Sequence, residues 1–278
     1  MEKIPLSEYE VTPLADIADG LIGLRIVFVN VFIVSDAGGW TLIDAGLPLS
    51  AGRIRGWAER TFGEGARPRA IVLTHGHFDH TGAIEDLLAT WDVPVYAHRL
   101  EMPYLTGKMK YPPPDPSVGG GLMSFMSPLY PRGPVDISSH VRPIPEYGAI
   151  PEMPGWQCVF TPGHTAGHCS FFRAEDRSLL VGDAFCTTDQ QSFMAVARQT
   201  PELHGPPAYY TPDWPNAKAS VEKLAALSPR ILAPGHGLPM SGGDIPAQLA
   251  KLAAHFDEIA IPSRGRSDAR TSSERKTL

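Results

Sequence analysis

The stretch THGHFDH, residues 74–80, sets His75, His77 and His80 within six consecutive positions and wedges Asp79 between the last two. The chain of 278 residues holds ten histidines, so neither even spacing nor ordinary core packing accounts for three of them here. What precedes the cluster is AIVLT, residues 70–74, an apolar β-branched run that reads as a strand. The histidines therefore begin where that strand ends. In extended backbone, residues i and i+2 face the same way, so His75 and His77 can bind one cation together. The chain must then turn, because Ile84, Leu87, Leu88 and Trp91 recur at the i, i+3, i+4, i+7 spacing of a helix that begins near Gly82. That turn aims Asp79 and His80 at a second, adjacent position. Imidazole and carboxylate ligands suit zinc, iron, manganese or cobalt. A helical H-E-x-x-H site is excluded, since no glutamate follows the first histidine.

The same pattern recurs along the chain. TLI leads to Asp44, VFTPG to His164, LLVG to Asp183 and RILAPG to His236, each an apolar run followed by one residue able to ligate a metal. In open α/β sheets, sites gather outside the carboxyl ends of strands, so five such termini can surround one point. Further strands are read in RIVFVNVFIV (25–34), WTLI (40–43), VPVYA (93–97), QCVF (157–160) and SFFR (170–173). Between them lie amphipathic helices. Ser50 is expected to cap one carrying Ile54, Trp57 and Ala58, with Gly63 as its stop; Val221, Leu224 and Ala225 mark another. Asp244 is expected to cap the last, which presents Leu249, Leu252, Ala253, Phe256 and Ile259. Strands alternating with helices in both halves predict an α/β fold of sheets covered by helices.

Residues 102–134 contain eight prolines and five glycines, so no regular element is expected to persist there. Four methionines, Met102, Met109, Met123 and Met126, share the segment with Tyr104, Tyr111, Phe125 and Tyr130, which makes it too apolar for a linker. It is either a lid-like insertion over a pocket or an irregular layer covering a sheet edge. Met123, Phe125, Met126 and Tyr130 are the candidate pocket residues from this segment. Residues 1–262 read as one domain and 263–278 as a disordered tail.

Composition narrows the partners. With 24 Lys and Arg against 30 Asp and Glu, net charge −6, and no dense basic run, nucleic acid is not expected. No apolar run reaches the ~20 residues a membrane-spanning helix needs. The N-terminus shows no secretory pattern, so the cytoplasm is the expected location. The three cysteines, Cys158, Cys169 and Cys186, form no C-x-x-C pair and are read as small buried residues. A small-molecule substrate of apolar character is expected, with homodimerisation left open. His98, His140, His204 and His255 are read as surface or packing residues, and the S-x-x-K at Ser220–Lys223 as coincidence.

HGHFDH, TPGHTAGH, VGDAF and APGHG, in that order over roughly residues 20–240, resemble the metallo-β-lactamase superfamily. The resemblance implies a four-layer αββα sandwich with a dinuclear metal site at one edge of its two sheets. It assigns His75, His77 and His164 to one metal, Asp79, His80 and His236 to the other, and Asp183 as the bridge. Asp44 matches the family's early acid and would orient the ligand loop by hydrogen bonds. His168 would be structural or supporting. Two divalent ions are implied, zinc first, with iron, manganese or cobalt as alternatives. The implied reaction is hydrolysis of an ester, lactone or related acyl bond by hydroxide held between the metals, with Asp79 relaying a proton. Small lactonases of the family carry a tyrosine three residues after the bridging aspartate, where this chain has Cys186, added to the candidate pocket. Glyoxalase II enzymes append a glutathione-binding domain after the last histidine, and 42 residues follow His236 here, so a glutathione thioester is not the first expectation. The alternatives are a mononuclear-iron persulfide dioxygenase type of oxidoreductase and a β-lactamase type of amide hydrolase.

Overall fold

The computed structural model describes residues 11–118, 122–145, 149–189, 198 and 201–262. The residues expected to form a tail, 263–278, lie outside these. Seven strands make the first sheet in sequential order: β1 Val11–Ala18, β2 Leu21–Ile26, β3 Val29–Asp36, β4 Gly39–Ile43, β5 Ile71–Val72, β6 Val95–Ala97 and β7 Val141–Pro143. The first four pair antiparallel and β4 to β7 pair parallel. The second sheet contains β8 Trp156–Phe160, β9 Cys169–Arg173, β10 Ser178–Gly182, β11 Ile231–Pro234 and β12 Met240–Ser241, in the order β12-β11-β10-β9-β8. There β10 and β11 are parallel and the other pairs antiparallel. Helices α1 Ala51–Phe62, α2 Phe78–Thr81 and α3 Ile84–Trp91 follow β4 and β5. The remaining helices are α4 Met102–Leu105, α5 Leu122–Met126, α6 Trp214–Ala226, α7 Ile245–Ala254 and α8 Phe256–Ile259.

Side-chain parity explains the layers. Successive residues of a strand face opposite ways, and β3 turns Val29, Val31 and Ile33 towards α1 and α3 while Phe32 and Val34 face the second sheet. In β4, Trp40 and Leu42 join Ile54, Trp57, Leu87 and Trp91, whereas Ile43 meets Phe171, Leu180 and Ala233. In β10, Leu179 and Val181 pack under α6 and α7 with Val221, Leu224, Leu249 and Leu252, and Leu180 points inward. Both sheets are thus apolar on both faces, and burying four apolar faces requires helix, sheet, sheet, helix. The expected αββα sandwich is the observed fold. Among the described residues, no helix is long and apolar enough to cross a membrane.

Local expectations fared unevenly. RIVFVNVFIV is not one strand: the chain reverses at Val27 and Phe28, with Val27 at φ 61°, and Ile26 pairs with Val29. That tight turn uses neither Gly nor Asn, so the usual signal was missing. Gly63 ends α1 at φ 102°, but Ser50 makes no side-chain cap and its hydroxyl instead donates to Leu47 O at 2.6 Å. Asp244 likewise caps no backbone N–H of α7, while Asp213 accepts from Asn216 N at the start of α6. The helix expected from near Gly82 is α3, with Ile84, Leu87, Leu88 and Trp91 buried, and the single turn α2 precedes it inside the cluster. Segment 102–134 does contain regular elements, α4, α5 and a 3₁₀ turn at Ser127–Leu129. Prolines at the first helical positions allow two of these, because no N–H is needed there.

Candidate metal centre

Five of the candidate site residues sit just past a strand. Asp44 follows β4, His75 follows β5, His164 follows β8, Asp183 follows β10 and His236 follows β11. Within each sheet these strands run in one direction, which brings their carboxyl ends to one edge of the sandwich. His77 immediately precedes α2 without a side-chain cap, and Asp79 and His80 lie in its single turn. All eight side chains are buried.

The outer atoms of four imidazoles are fixed by hydrogen bonds that define which nitrogen faces inward. His80 Nδ1 meets Asp44 Oδ2 at 2.8 Å, and His236 Nδ1 meets the Phe28 carbonyl at 2.9 Å. Both oxygens only accept, so both Nδ1 atoms donate and both Nε2 atoms point to the centre. Thr211 gives its proton to Pro207 O, so its Oγ1 accepts from His164 Nδ1 at 3.2 Å. Thr74 gives its proton to Asp44 Oδ2 at 2.9 Å, so its Oγ1 accepts from His75 Nδ1 at 3.1 Å. Asp44 also takes the Thr74 N–H at 2.8 Å, and adopts φ 60°, a region aspartate tolerates. Its contacts are those of a residue that orients a ligand loop.

Inside, the ligand atoms form three overlapping groups: His75, His77 and His164; His75, His80 and Asp183; and Asp79, His80 and His236, each with atoms within 4.8 Å. His77 Nδ1 lies 3.1 Å from His75 Nε2 and 2.9 Å from His164 Nε2. Asp183 faces both ends: its Oδ2 is 3.4 Å from His164 Nε2 and 3.1 Å from His236 Nε2, and its Oδ1 is 3.4 Å from His80 Nε2. Asp79 Oδ2 lies 3.4 Å from His236 Nε2. Ligands ~2.0–2.1 Å from a tetrahedral ion stand roughly 3.3 Å apart, so these separations match the edges of coordination polyhedra. His80 Nε2 and Asp183 Oδ1 are buried without hydrogen-bond partners among the described residues. Buried polar atoms left unpaired are costly, and a cation would satisfy both. The donor set therefore fits divalent ions.

Electrostatics divide the centre. Burial holds His75 and His164 well below the usual imidazole range, with adjacent imidazoles adding to it, and lowers His77 to about 3. These rings stay neutral and keep their lone pairs. Burial also opposes charge on His80 and His236, but Asp183 with Asp44 and Asp79 lifts His80 well above its ordinary value, and Asp183 lifts His236. The acidic side draws positive charge. Burial would raise Asp183, yet His236 and His80 pull its carboxyl well below the normal range.

His168 is not among the inward atoms. Its Nε2 accepts the Asp183 N–H at 2.8 Å and its Nδ1 pairs with Thr161 Oγ1 at 2.8 Å, so it fixes the backbone of the shared aspartate. Burial keeps it neutral, with a pKa of about 4. Ser220 donates to Pro162 O at 2.7 Å and steadies the turn before His164, a structural task. His98 stacks on Phe160, His140 meets Asp92, His204 lies near Asp189 and His255 meets Glu258, all away from the centre.

Above the centre is a cleft walled by Phe28, Phe78, Tyr130, Pro207, Tyr209 and Tyr210, with a free volume of about 10 Å³. That is room for about one water molecule. Of the candidate pocket residues, Tyr130 lines it, held by stacking on Phe78 at 5.3 Å. Phe125 is not in the wall; α5 turns it outward, 74% exposed. Met126 is half-buried outside the lining, the Met123 side chain lies outside the described residues, and Cys186 is fully buried and not part of the lining. Sequence reasoning missed Phe28, Phe78, Tyr209, Tyr210 and the buried Glu101. Only Glu101, an acid in the apolar context VYAHRLEMPYL, left a readable trace.

Fold and site together define a class: an αββα sandwich whose sheet edge carries a histidine and aspartate centre suited to divalent metals. The profile of the metallo-β-lactamase superfamily matches residues 24–236, and the chain belongs to that superfamily. It is 49% identical over 245 residues to YflN of Bacillus subtilis (strain 168), a protein described as a probable metallo-hydrolase, covering 87% of this chain and 93% of that one. Among solved structures it resembles TTHA1623 in a di-iron-bound form, with TM-score 0.54 and 26% identity over 84% of this chain and 96% of that one. A B3 metallo-β-lactamase with an active-site glutamic acid shares the fold, with TM-score 0.62 at 19% identity over 90% and 89% of the two chains. The protein is of the metallo-hydrolase type.

Proposed function

We propose that this chain hydrolyses an ester, lactone or related acyl bond of an apolar small molecule, using two divalent ions, zinc first among them. The observation that carries the reading is Asp183, whose two oxygens face both ligand groups at the floor of an aromatic cleft. Bound ions of this kind supply Lewis acidity and lower the pKa of water towards about 7. His75, His77 and His164 would hold one ion and Asp79, His80 and His236 the other, with Asp183 shared. The presence of the second group favours a dinuclear hydrolase over a mononuclear-iron oxidoreductase. Asp79 stands at the cleft floor, where burial raises its carboxyl, and is placed to take up and return a proton. Among the described residues, the cleft wall offers no charged side chain besides the ligands, which suits an uncharged acyl group.

Elemental analysis paired with a panel of aryl esters, short- and long-chain lactones, thioesters and β-lactams tests this. Two ions per chain and a chelator-sensitive rate on esters or lactones are expected. One iron with oxygen uptake would move the protein to the oxidoreductases, and turnover of β-lactams alone to the amide hydrolases.

Tyr210 supports the reading independently. Its ring lies 4.6 Å from that of His77, it lines the cleft, and its buried hydroxyl has no partner among the described residues. A phenol without a partner on the wall of a reaction site can donate to the oxygen that gains charge, and removing such a donor costs about 10²-fold in kcat. Tyr210→Phe should show that loss in steady-state kinetics, with KM and metal content unchanged. Equal kcat would remove Tyr210 from the reaction.

A further inference from the structure

Glu101 ends the 3₁₀ turn Arg99–Glu101 that follows β6, and it is 0% exposed. Among the described residues, no lysine or arginine pairs with it. Its two oxygens instead collect four uncharged donors. Oε2 accepts from the Gly76 N–H at 3.1 Å and from the Tyr111 hydroxyl; Oε1 accepts from Thr165 Oγ1 at 2.7 Å and from the Gly167 N–H at 2.8 Å. The Tyr111 oxygen also accepts from Gly76 N at 3.0 Å, and its ring lies 4.6 Å from that of His77.

Those donors belong to two loops. Gly76 sits between His75 and His77, and Thr165 follows His164. The loops are 87 residues apart in sequence and come from different sheets, yet their imidazoles meet at 2.9 Å. Room for the carboxylate has been left in the backbone. A Cβ on Gly167 would lie 2.7 Å from Glu101 Oε1, and one on Gly76 would lie 2.5 Å from the Tyr111 oxygen. The other ligands are held differently: His80 by Asp44, His236 by the Phe28 carbonyl and by Asn30, which donates to Pro234 O and Gly237 O.

We infer that Glu101 is a positioning residue that fixes the spacing between the His75–His77 loop and the His164 loop, and so sets the cation affinity of that trio selectively. The inference rests on reading the three histidines as the ligands of one ion. A carboxylate is the side chain suited to four donors, because it offers only lone pairs. Glutamine keeps one oxygen for Thr165 and Gly167, while its amide nitrogen takes from the Tyr111 hydroxyl its acceptor and leaves the Gly76 N–H to the Tyr111 oxygen alone.

Metal-stripped protein titrated with Zn²⁺ against a chromophoric chelator tests this, with Co²⁺ absorption reporting ligand geometry. Glu101→Ala is expected to weaken one of two ions by about 10- to 100-fold, the range for loss of an outer partner, and to leave the other unchanged. Glu101→Gln should fold and recover part of the lost affinity, and Thr165→Val should weaken the same ion by a few fold. Repeating the comparison in His236→Ala protein, where the trio is intact and the other group broken, identifies the ion affected. Equal weakening of both ions, or of neither, overturns the inference and reduces Glu101 to general scaffolding. Wild-type protein that binds a single ion sinks the dinuclear reading instead, and Glu101 is then judged on that ion, an unchanged affinity in Glu101→Ala overturning its role. A chain that binds no ion overturns both.

Discussion

Asp183→Ala is expected to lower kcat/KM on any accepted ester or lactone by about 10³-fold or more, and to reduce bound metal below two ions per chain. The expectation exceeds the roughly 10- to 100-fold attached to outer partners, because Asp183 faces both ligand groups. Its backbone is held separately, by His168 Nε2, so the variant keeps its chain path and loses only the carboxylate. Asp183→Asn retains one accepting oxygen and should keep one ion while losing most of the rate. Metal analysis and kinetics on the same preparations decide the matter. If Asp183→Ala keeps both ions and its turnover, the shared-aspartate reading fails.

Asp44→Ala should be the most damaging change outside the ligands themselves. It strands three buried donors, the Thr74 N–H, the Thr74 hydroxyl and His80 Nδ1–H. At about 1–3 kcal/mol for each unpaired group, a loss of roughly 3 kcal/mol or more is expected. Alanine at φ 60° adds strain of about 1–2 kcal/mol. His80 would also lose the bond that keeps Nε2 inward, weakening metal binding by about 10- to 100-fold. Asp44→Asn tolerates the same backbone and should be milder. Denaturant unfolding in the presence of a chelator measures the first effect and competition titration the second. Unchanged metal affinity in Asp44→Ala would show that His80 is oriented by something else.

How much of this was legible depends on how local each cause is. A ligand placed just past a strand announces itself, since an apolar run, a turn and a histidine or aspartate are neighbours in sequence. Hence His75, His77, Asp79, His80, His164, Asp183 and His236 could be singled out, and the structure gathers them at one edge. Strands and helices were readable through periodicity, as sheets covered by helices, whereas the four-layer order was implied only by the family resemblance. What escaped notice has partners far away in sequence. Glu101 takes its meaning from Gly76, Thr165 and Gly167, and no window contains them all. The Val27–Phe28 reversal lacks turn residues and looks like continuous strand, yet it delivers the carbonyl that holds His236. Tyr209 and Tyr210 follow two prolines and resemble a surface loop until the cleft is seen. Phe125 was expected in the wall from its company alone, and the direction of one short helix removed it.

The reversal at Val27–Phe28 reaches across the sandwich, with Asn30 N donating to Gly235 O at 2.8 Å and Asn30 Nδ2 to Pro234 and Gly237. Four of the seven cage residues thus come from the first sheet and three from the second, and the hairpin of β2 and β3 latches the turn that follows β11. An ion that recognises only the closed pair adds RT ln(1 + [M]/Kd) to the work of prying the sheets apart. Loading the centre is then also a mechanical event, a rivet driven through the seam between two folded leaves.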